Sequence, residues 1–372
     1  MYSLALAVLF PLLAGWGIGR GYVPRWMSSI VLCYGAGILV ANLRPWSVDQ
    51  PLMEGLAGGS MLVGLPLLLF SVCVADLTRY GRSMLLSFLL CCVAGVVCTG
   101  LTAVYLQGSM ADGWQIAGML TGLYTGGTPN VQAIGIALEA PAEYVVLIQA
   151  ADVLLGGAYL IGLITFLPAV YARFYPRTFA DPKEREAAVP GVDTDMTWGQ
   201  RGIQFGCALS ITAAAFLLTR ITTGAWFSPT ALVLWVTTAS ILFTLTPAAR
   251  RIGNAYPLGE YFVLIFCVAL GMLADFRRLA EEGLELLYFS TIALVSTTLL
   301  HLVLARIFRI DRDTVILSSV AAFYGPVFVV QVATAIRNTR LLAAGVAVSL
   351  LGFGIGNYLG IGLAYALRWA IA

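Results

Sequence analysis

Long apolar stretches, separated by short polar ones, follow one another along the whole chain. A helix that crosses a lipid bilayer needs about 20 predominantly apolar residues, and twelve stretches come near this length. This pattern predicts a protein made of membrane helices. The stretches are 2–19, 27–42, 52–76, 82–106, 114–139, 143–172, 201–219, 229–246, 257–275, 285–307, 313–337 and 341–370.

Composition supports the same class. Of the 372 residues, 60% are hydrophobic and 11% are charged, with a mean hydropathy of +0.89, whereas a soluble domain carries about 25% charged residues. The net charge of +2, without a stripe of Lys and Arg among exposed aromatics, argues against a nucleic-acid partner. We therefore expect a multi-pass protein of a bacterial inner (cytoplasmic) membrane, with the lipid bilayer as its surroundings.

One polar stretch, residues 173–201, divides the chain. It carries both signs of charge and three prolines, which is typical of a solvated linker. Six apolar stretches precede it and six follow it. We predict a first transmembrane repeat over 1–172, a cytoplasmic linker over 173–200 and a second transmembrane repeat over 201–372.

The two groups of six resemble each other at an offset near 200 residues. Residues 68–86 and 263–279 are both apolar runs that end in Ala-Asp and continue with basic residues. GLYTGGTPN at 122–130 corresponds to AAFYGPVFV at 321–329, and a Gly-rich helix follows each. Internal repeats of this kind are typical of secondary transporters.

The basic residues predict the topology. If all twelve stretches cross, the 21 basic residues divide nine to twelve between the two sides, which gives no orientation. If 114–139 and 313–337 each enter and return on one side, the division becomes sixteen to five. Because loops rich in Lys and Arg stay in the cytoplasm, we predict the second arrangement, which makes the two halves inverted. A further crossing hidden between residues 106 and 173 would satisfy the same count.

Two breaks within apolar stretches predict helix N-termini inside the membrane. Thr128 and Pro129 have the pattern of an N-cap followed by proline at the first helical position, and Gly325 and Pro326 repeat it. The first N–H groups of a helix lack an intrahelical partner and carry about half a positive charge. In a membrane such backbone lines a cavity or is buried in protein. Matching breaks favour a binding site over the alternative, a pair of plain proline kinks.

Among the nineteen acidic residues, Asp152 alone lies deep within an apolar stretch. It follows Glu143 by nine residues, or about 14 Å along a helix, within a hydrocarbon core of roughly 30 Å. A carboxyl group at this depth pairs, takes up a proton or binds a cation. Gln149 precedes it by one turn on the same face. We predict that Asp152 binds Na+ or H+ as a coupling ion; the alternative is a structural carboxylate held by neighbouring amides.

Other polar residues at similar depth extend this prediction to a site. Their oxygen atoms are the ligands that a hard cation prefers, although each one singly is equally suited to hydrogen bonding between helices. The predicted substrate and ion site comprises Thr125, Gly126, Gly127, Thr128, Asn130, Gln149, Asp152, Gly325, Pro326, Gln331 and Asn357, with Gln132 and Ser349 at comparable depth.

No pattern in the sequence predicts an enzyme or a cofactor other than Na+ as the coupling ion. The seven cysteines lie in apolar stretches without CxxC or Cys/His spacing, which favours packing over a metal site or disulfides. The single histidine, His301, is expected to pack or to lie at an interface. Neither a Ser/His/Asp order nor a phosphate-binding loop is present.

Four stretches give the chain a resemblance to a known family over nearly its whole length. They are LTGLYTGGTPN (120–130), AADVLLGGAY (150–159), LLHLVLARIFRI (299–310) and LLGFGIGNYLGIGL (350–363). The chain resembles the YjcL-like membrane family, the domain of unknown function numbered 819. It departs from the family at YGPVF (324–328), where Gly-Gly-Pro and small residues are usual, and this departure implies a more apolar pocket.

The resemblance implies a fold and a class of function. The family is grouped with the bile-acid symporters, auxin carriers and sodium/proton antiporters, which are two-repeat secondary transporters. It implies two discontinuous helices that cross near the midplane and bind substrate or coupling ion there, in contrast to the return predicted from the basic residues. It also implies a homodimer with a scaffold domain and a mobile core domain.

We therefore predict an all-α membrane protein with about 10–12 transmembrane segments in two inverted repeats. Its predicted function is Na+- or H+-coupled secondary transport of a small organic solute, and the half-helix N-termini favour an anionic group on that solute. Two alternatives stay open: an uncoupled channel or facilitator, and a non-transport membrane subunit.

Overall fold

The computed structural model describes residues 2–20, 22, 29–43, 48–70, 81–107, 110, 112–176, 196–273, 276–336 and 338–371, and this part of the chain is built from helices without a strand. Most of the predicted linker (177–195) and part of the first repeated motif (71–80) lie outside these residues. The helices are α1 (Tyr2–Gly19), α2 (Ser29–Leu43), α3 (Gln50–Leu69), α4 (Arg82–Tyr105), α5 (Gly113–Gly126), α6 (Thr128–Ala137), α7 (Ala142–Ala151), α8 (Gly157–Ile164), α9 (Leu167–Tyr171), α10 (Trp198–Thr223), α11 (Pro229–Thr244), α12 (Ala249–Ile252), α13 (Tyr256–Gly271), α14 (Phe276–Ile307), α15 (Arg312–Phe323), α16 (Pro326–Ala335) and α17 (Leu342–Ile371), with a π-helical turn (Asp152–Gly156) between α7 and α8 and a 3-10 turn (Thr339–Leu341) before α17.

Helices long and apolar enough to cross a membrane account for most of the described residues. Seven segments meet that criterion by length and composition, and three shorter apolar helices accompany them. The prediction of an all-α membrane protein is therefore confirmed. The seven are Tyr2–Gly19, Gln50–Leu69, Arg82–Tyr105, Ala142–Ile164, Trp198–Thr223, Gly283–Ile307 and Leu342–Ala370; the three are Leu32–Leu43, Pro229–Thr244 and Tyr256–Gly271.

The two halves of the chain present these elements in the same order. In each half three apolar helices come first, a longer helix follows, and two short helices joined at a glycine precede the final long segment. The short pairs are α5 with α6 and α15 with α16. The described chain thus has seven apolar helices of membrane length, three shorter apolar helices and the two short pairs.

Each short pair folds back on itself as a hairpin. Gln115 Nε2, in the first turn of α5, donates a hydrogen bond of 2.9 Å to the carbonyl oxygen of Leu138, just after α6. Asn338 Nδ2, just after α16, donates one of 2.8 Å to Asp313 Oδ2, in the first turn of α15. In a continuous helix, residues 115 and 138 would be roughly 34 Å apart.

The hairpins distinguish between the two predicted paths of the broken stretches, a return to the same side and a crossing of the membrane. Both stretches return to the end at which they began, as the division of the basic residues predicts. The crossing helices implied by the family resemblance are therefore wrong for this chain. We call α5 to α6 hairpin 1 and α15 to α16 hairpin 2.

The helices pack into two groups, each drawn from both halves. The first group contains α1, α2, α3, α10, α11 and α13, with α3 and α2 packed along α13. The second group contains α4, α7, α8, α14, α17 and both hairpins, with α5 packed along α17 and α4 along α14. Hairpin 1 lies between them, because α6 also contacts α11 and α3.

Within the first group, α2 and α13 touch backbone to backbone. A β-carbon on Gly37 would collide with the carbonyl oxygen of Val268 and lie 2.8 Å from the nitrogen of Met272. A β-carbon on Gly271 would lie 2.6 Å from the carbonyl oxygen of Tyr34. Small residues allow this approach, which is how membrane helices gain packing without a hydrophobic driving force.

This contact predicts different effects for two neighbouring glycines of α2. Gly37→Ala should lower the free energy of unfolding by roughly 1–3 kcal/mol, because the added methyl group meets backbone that cannot turn away. Gly35→Ala, where no atom lies within 4 Å of the added carbon, should be neutral or stabilising by up to about 1 kcal/mol. Thermal unfolding of the detergent-purified variants measures both, and equal stability of the two would contradict the contact.

Candidate functional site

The tips of the two hairpins contact each other. A β-carbon on Gly127 would lie 3.5 Å from the carbonyl oxygen of Phe323 and 3.9 Å from the nitrogen of Gly325. Both glycines have positive φ, 78° at Gly127 and 91° at Gly325, a conformation that glycine adopts without steric strain. The sequence therefore places glycine at the two reversals, and the reversals bring the two broken stretches together.

The cap of α6 differs from the prediction. The N-cap is Gly127, which has no side chain, and Thr128 is the first helical residue. The prediction of Thr128 as N-cap is wrong, because the reversal requires glycine's conformation and the helix starts at the next residue. Thr128 Oγ1 instead donates a hydrogen bond of 3.3 Å to Gln149 Oε1, on α7. In hairpin 2, Pro326 opens α16 as predicted.

Asp152 begins the π-helical turn and lies against hairpin 2. A β-carbon on Gly156 would collide with Asp152 Oδ1 and lie 3.1 Å from the ring of Tyr324. Tyr324 Oη donates a hydrogen bond of 2.8 Å to the carbonyl oxygen of Gly156. Gly156 thus leaves room for the carboxyl group beside Tyr324, the residue directly before the tip glycine. Single π-helical turns occur frequently at functional sites.

The carboxyl group also borders a small cavity. Asp152, Tyr124 and Ser290 line it together with apolar side chains, and the space between them is too narrow for a water molecule. Among the described residues, none forms a hydrogen bond or an ion pair with Asp152, and the buried hydroxyl of Ser290 likewise lacks a partner. Polar atoms of Asp152 and Ser290 thus border this narrow space without a hydrogen-bond partner among the described residues. The apolar lining consists of Leu120, Leu123, Ile148, Ala151, Leu155 and Leu294.

Asn130 and Asn357 form a hydrogen-bond network that joins three helices. Asn130 Nδ2 donates to the carbonyl oxygen of Phe353 and to Asn357 Oδ1, at 3.1 Å each. Asn357 Nδ2 donates to Thr237 Oγ1 at 3.0 Å. The network ties hairpin 1 to α17 and to α11 of the first group. The role of Thr237 could not be predicted, because nothing in the sequence distinguishes it from other threonines in apolar helices.

Several buried amide and hydroxyl groups near hairpin 1 have an atom without a hydrogen-bond partner in the described protein. They are Asn130 Oδ1, Gln132 Oε1, Gln149 Nε2 and Ser349 Oγ. Buried polar atoms are almost always paired in proteins, and so unpaired ones call for an explanation such as a ligand. Asn130, Gln132 and Gln149 lie on or against hairpin 1, and the amide nitrogen of Gln132 reaches Tyr34 Oη and Cys267 Sγ of the first group.

Three predicted site residues have other roles. Thr125 Oγ1 donates to the carbonyl oxygen of Thr121 at 2.8 Å, within its own helix. Gly126 allows close packing, because a β-carbon there would lie 2.5 Å from the carbonyl oxygen of Gly352. Gln331 does not join the group: its side chain is exposed on α16 and makes none of these hydrogen bonds. The inclusion of Gln331 in the site therefore stays a prediction that these hydrogen bonds do not support.

Reactive side chains elsewhere are engaged in packing. His301 is buried and lies 3.2 Å from Ser87 Oγ, which is 2.7 Å from Ser318 Oγ. No group of three His, Cys, Asp or Glu side chains in the part of the chain that the structure describes could hold a metal ion.

Comparison with known proteins supports the resemblance noted in the sequence. The family model described as "Protein of unknown function (DUF819)" matches residues 13–370. The chain is 25% identical over 377 residues to "Uncharacterized membrane protein YjcL" of Bacillus subtilis (strain 168), an alignment that covers 95% of this chain and 94% of that protein. The predicted family is thereby confirmed, and so is an integral membrane protein with several membrane helices.

The network at Asn130 predicts a difference between two polar residues of the hairpins. Asn130→Leu removes two hydrogen bonds and should lower the free energy of unfolding by about 1–3 kcal/mol. Gln331→Leu, at an exposed position of hairpin 2, should change it by less than about 0.5 kcal/mol. Thermal unfolding of the purified proteins measures the difference, and an unchanged melting temperature for Asn130→Leu would show that the network does not stabilise the fold.

Proposed function

We propose that this chain, which belongs to the DUF819 family, is an ion-coupled secondary transporter of a small organic solute. The observation that carries the proposal is the contact between the two hairpin tips beside the carboxyl group of Asp152. Broken backbone and a carboxyl group are both unfavourable within a membrane unless protein or a polar ligand surrounds them. A transport site accounts for both features at one place.

In this proposal Asp152 carries the coupling ion, Na+ or H+. A bound cation, or a proton on the carboxyl group, removes an isolated negative charge, so that the second group of helices can move only in the loaded state. For Na+, the unpaired Asn130 Oδ1, Gln132 Oε1 and Ser349 Oγ are candidate oxygen ligands from neighbouring elements. For H+, the carboxyl group alone is sufficient.

The substrate in this proposal carries an anionic group. The N-termini of α6 and α16 contribute partial positive charge at the tips, and Gln149 Nε2 supplies an unpaired donor beside Thr128. We propose that all five apolar segments of each half cross the membrane, which would give the two halves opposite orientations, as in inverted-repeat transporters. The membrane in this proposal is a bacterial cytoplasmic membrane, for which the Bacillus relative, described as a membrane protein, gives support, and the family resemblance supports a homodimer.

The role of Asp152 predicts how ions affect stability. A ligand that binds only the folded protein at ten times its Kd adds roughly 1.4 kcal/mol to the free energy of unfolding. If the ion is Na+, the purified protein should therefore be more stable in Na+ than in choline at the same ionic strength. If the ion is H+, its stability should depend on pH. Asp152→Asn keeps the side chain's shape and should fold but lose the response, whereas Glu54→Gln, at an exposed carboxylate of α3, should keep it.

Proteoliposomes separate the coupled transporter from its rival. A wild-type protein whose stability and flux ignore both Na+ and pH would support an uncoupled facilitator. An Asp152→Asn protein with the full wild-type ion response would show that the coupling ion binds elsewhere.

A further inference from the structure

A second polar region lies at the base of hairpin 2, at the opposite end from its tip. Two hydrogen bonds hold the segment after α9 against this base. Tyr175 Oη donates to the carbonyl oxygen of Leu302 at 2.6 Å, and the backbone nitrogen of Arg312 donates to the carbonyl oxygen of Pro176 at 3.1 Å. The end of α14, the start of α15 and residues 173–176 thus form one corner of the molecule.

This corner contains an open pocket of about 590 Å³. Three of its seven lining residues are arginines, Arg173, Arg306 and Arg309, and none is acidic. They come from two separate segments, one on each side of the pocket. Like charges that converge on one concave surface raise the local positive potential and favour an anionic ligand.

The arginines have no carboxylate partner among the described residues. The acidic side chains closest in sequence are engaged elsewhere: Asp311 accepts a hydrogen bond from the nitrogen of Thr314, and Asp313 pairs with Arg312 at 2.7 Å and accepts from Asn338. Among the described residues, neither carboxylate forms an ion pair with an arginine of the pocket.

The backbone at Arg309 supports a role for its side chain. Arg309 has a positive φ of 54°, and the nitrogen of Ile310 donates to the carbonyl oxygen of Ala305 to end α14. This position usually carries glycine, because other residues are strained there. An arginine near a helix C-terminus also interacts favourably with the helix dipole, but that does not explain Arg173, which belongs to another segment.

The pocket lies at the level where a membrane helix ends. Arg306 is in the last turn of the apolar segment Gly283–Ile307, and Phe174 and Ile307 beside it are 60% and 66% exposed. Positive charge next to exposed apolar side chains at the end of a membrane segment matches a phospholipid, whose phosphate and acyl chains adjoin. By the division of the basic residues, this end faces the cytoplasm, where anionic lipids attract basic pockets.

We propose that Arg173, Arg306 and Arg309 bind the phosphodiester headgroup of an anionic phospholipid, with its acyl chains along Phe174 and Ile307. Charge-assisted hydrogen bonds from guanidinium groups to phosphate supply the recognition. The bound lipid bridges the segment after α9 to the end of α14. The proposal does not depend on the transport function, because it uses none of the residues near the hairpin tips.

Native mass spectrometry of the full-length protein in neutral detergent tests it, with phosphatidylglycerol, phosphatidylcholine and inorganic phosphate as probes. The wild-type protein should retain phosphatidylglycerol at least tenfold more tightly than phosphatidylcholine. The Arg173→Gln/Arg306→Gln/Arg309→Gln variant should lose this preference. The control variant Arg20→Gln/Arg82→Gln/Arg201→Gln removes three exposed arginines from the same predicted side and should keep it.

Three outcomes would overturn the proposal. If both triple variants lost the preference for phosphatidylglycerol equally, the lipid would be held by diffuse attraction to a basic surface. Equal retention of the two lipids would mean binding through the acyl chains alone, and stabilisation by inorganic phosphate equal to that by phosphatidylglycerol would mean a site for a free anion. If the triple variant does not fold, Arg309→Gly replaces it: glycine suits the backbone there, so this variant should keep its melting temperature and bind phosphatidylglycerol several-fold more weakly, and undiminished binding would refute the proposal.

Discussion

Backbone that breaks within a membrane segment must have its polar groups satisfied by the protein or by a ligand, since lipid offers no partner. This chain meets the constraint with two hairpins whose tips touch through Gly127 and Gly325. The broken ends are thus enclosed by protein. The remaining helices surround this contact, and the long helices α4, α14 and α17 of the second group hold the hairpins in place.

Some polar atoms near the hairpins have no hydrogen-bond partner in the described part of the chain. Asp152 lies beside the tip of hairpin 2 without a hydrogen bond or an ion pair in the described part of the chain, and polar atoms of Asn130, Gln132 and Gln149 near hairpin 1 are also left unpaired. A fold that only needed to be stable would pair these atoms or replace them with apolar groups. The proposed ion and substrate site rests on these unpaired atoms.

Much of the fold could be predicted from the sequence. Apolar length identifies the membrane helices, and the division of basic residues predicts the two hairpins, because charge near a segment's end reports which side that end faces. The family resemblance predicts crossing helices instead and is wrong on this point, since a shared motif such as GGTPN marks a break without stating the direction of the chain after it.

The site could be predicted less well. Depth along the sequence identifies Asp152 and Asn130, but it does not say which way a side chain points, and Gln331, predicted at similar depth, is exposed. The partners of Asn130 on α17 and the link from Asn357 to Thr237 depend on packing between segments more than 100 residues apart. The pocket lined by Arg173, Arg306 and Arg309 likewise forms only when residues 173–176 meet the end of α14.

The proposed transport requires the hairpin tips to become accessible to water in at least one state of the protein. Thiol accessibility in a cysteine-free background tests it most directly, with Thr128→Cys at the tip of hairpin 1 and Val93→Cys, exposed in the middle of α4, as the lipid-facing control. We expect a small charged methanethiosulfonate reagent to modify Thr128→Cys in membrane vesicles, more slowly when the coupling ion is present, and to leave Val93→Cys unmodified. A Thr128→Cys thiol as inert as the one at position 93 would contradict it.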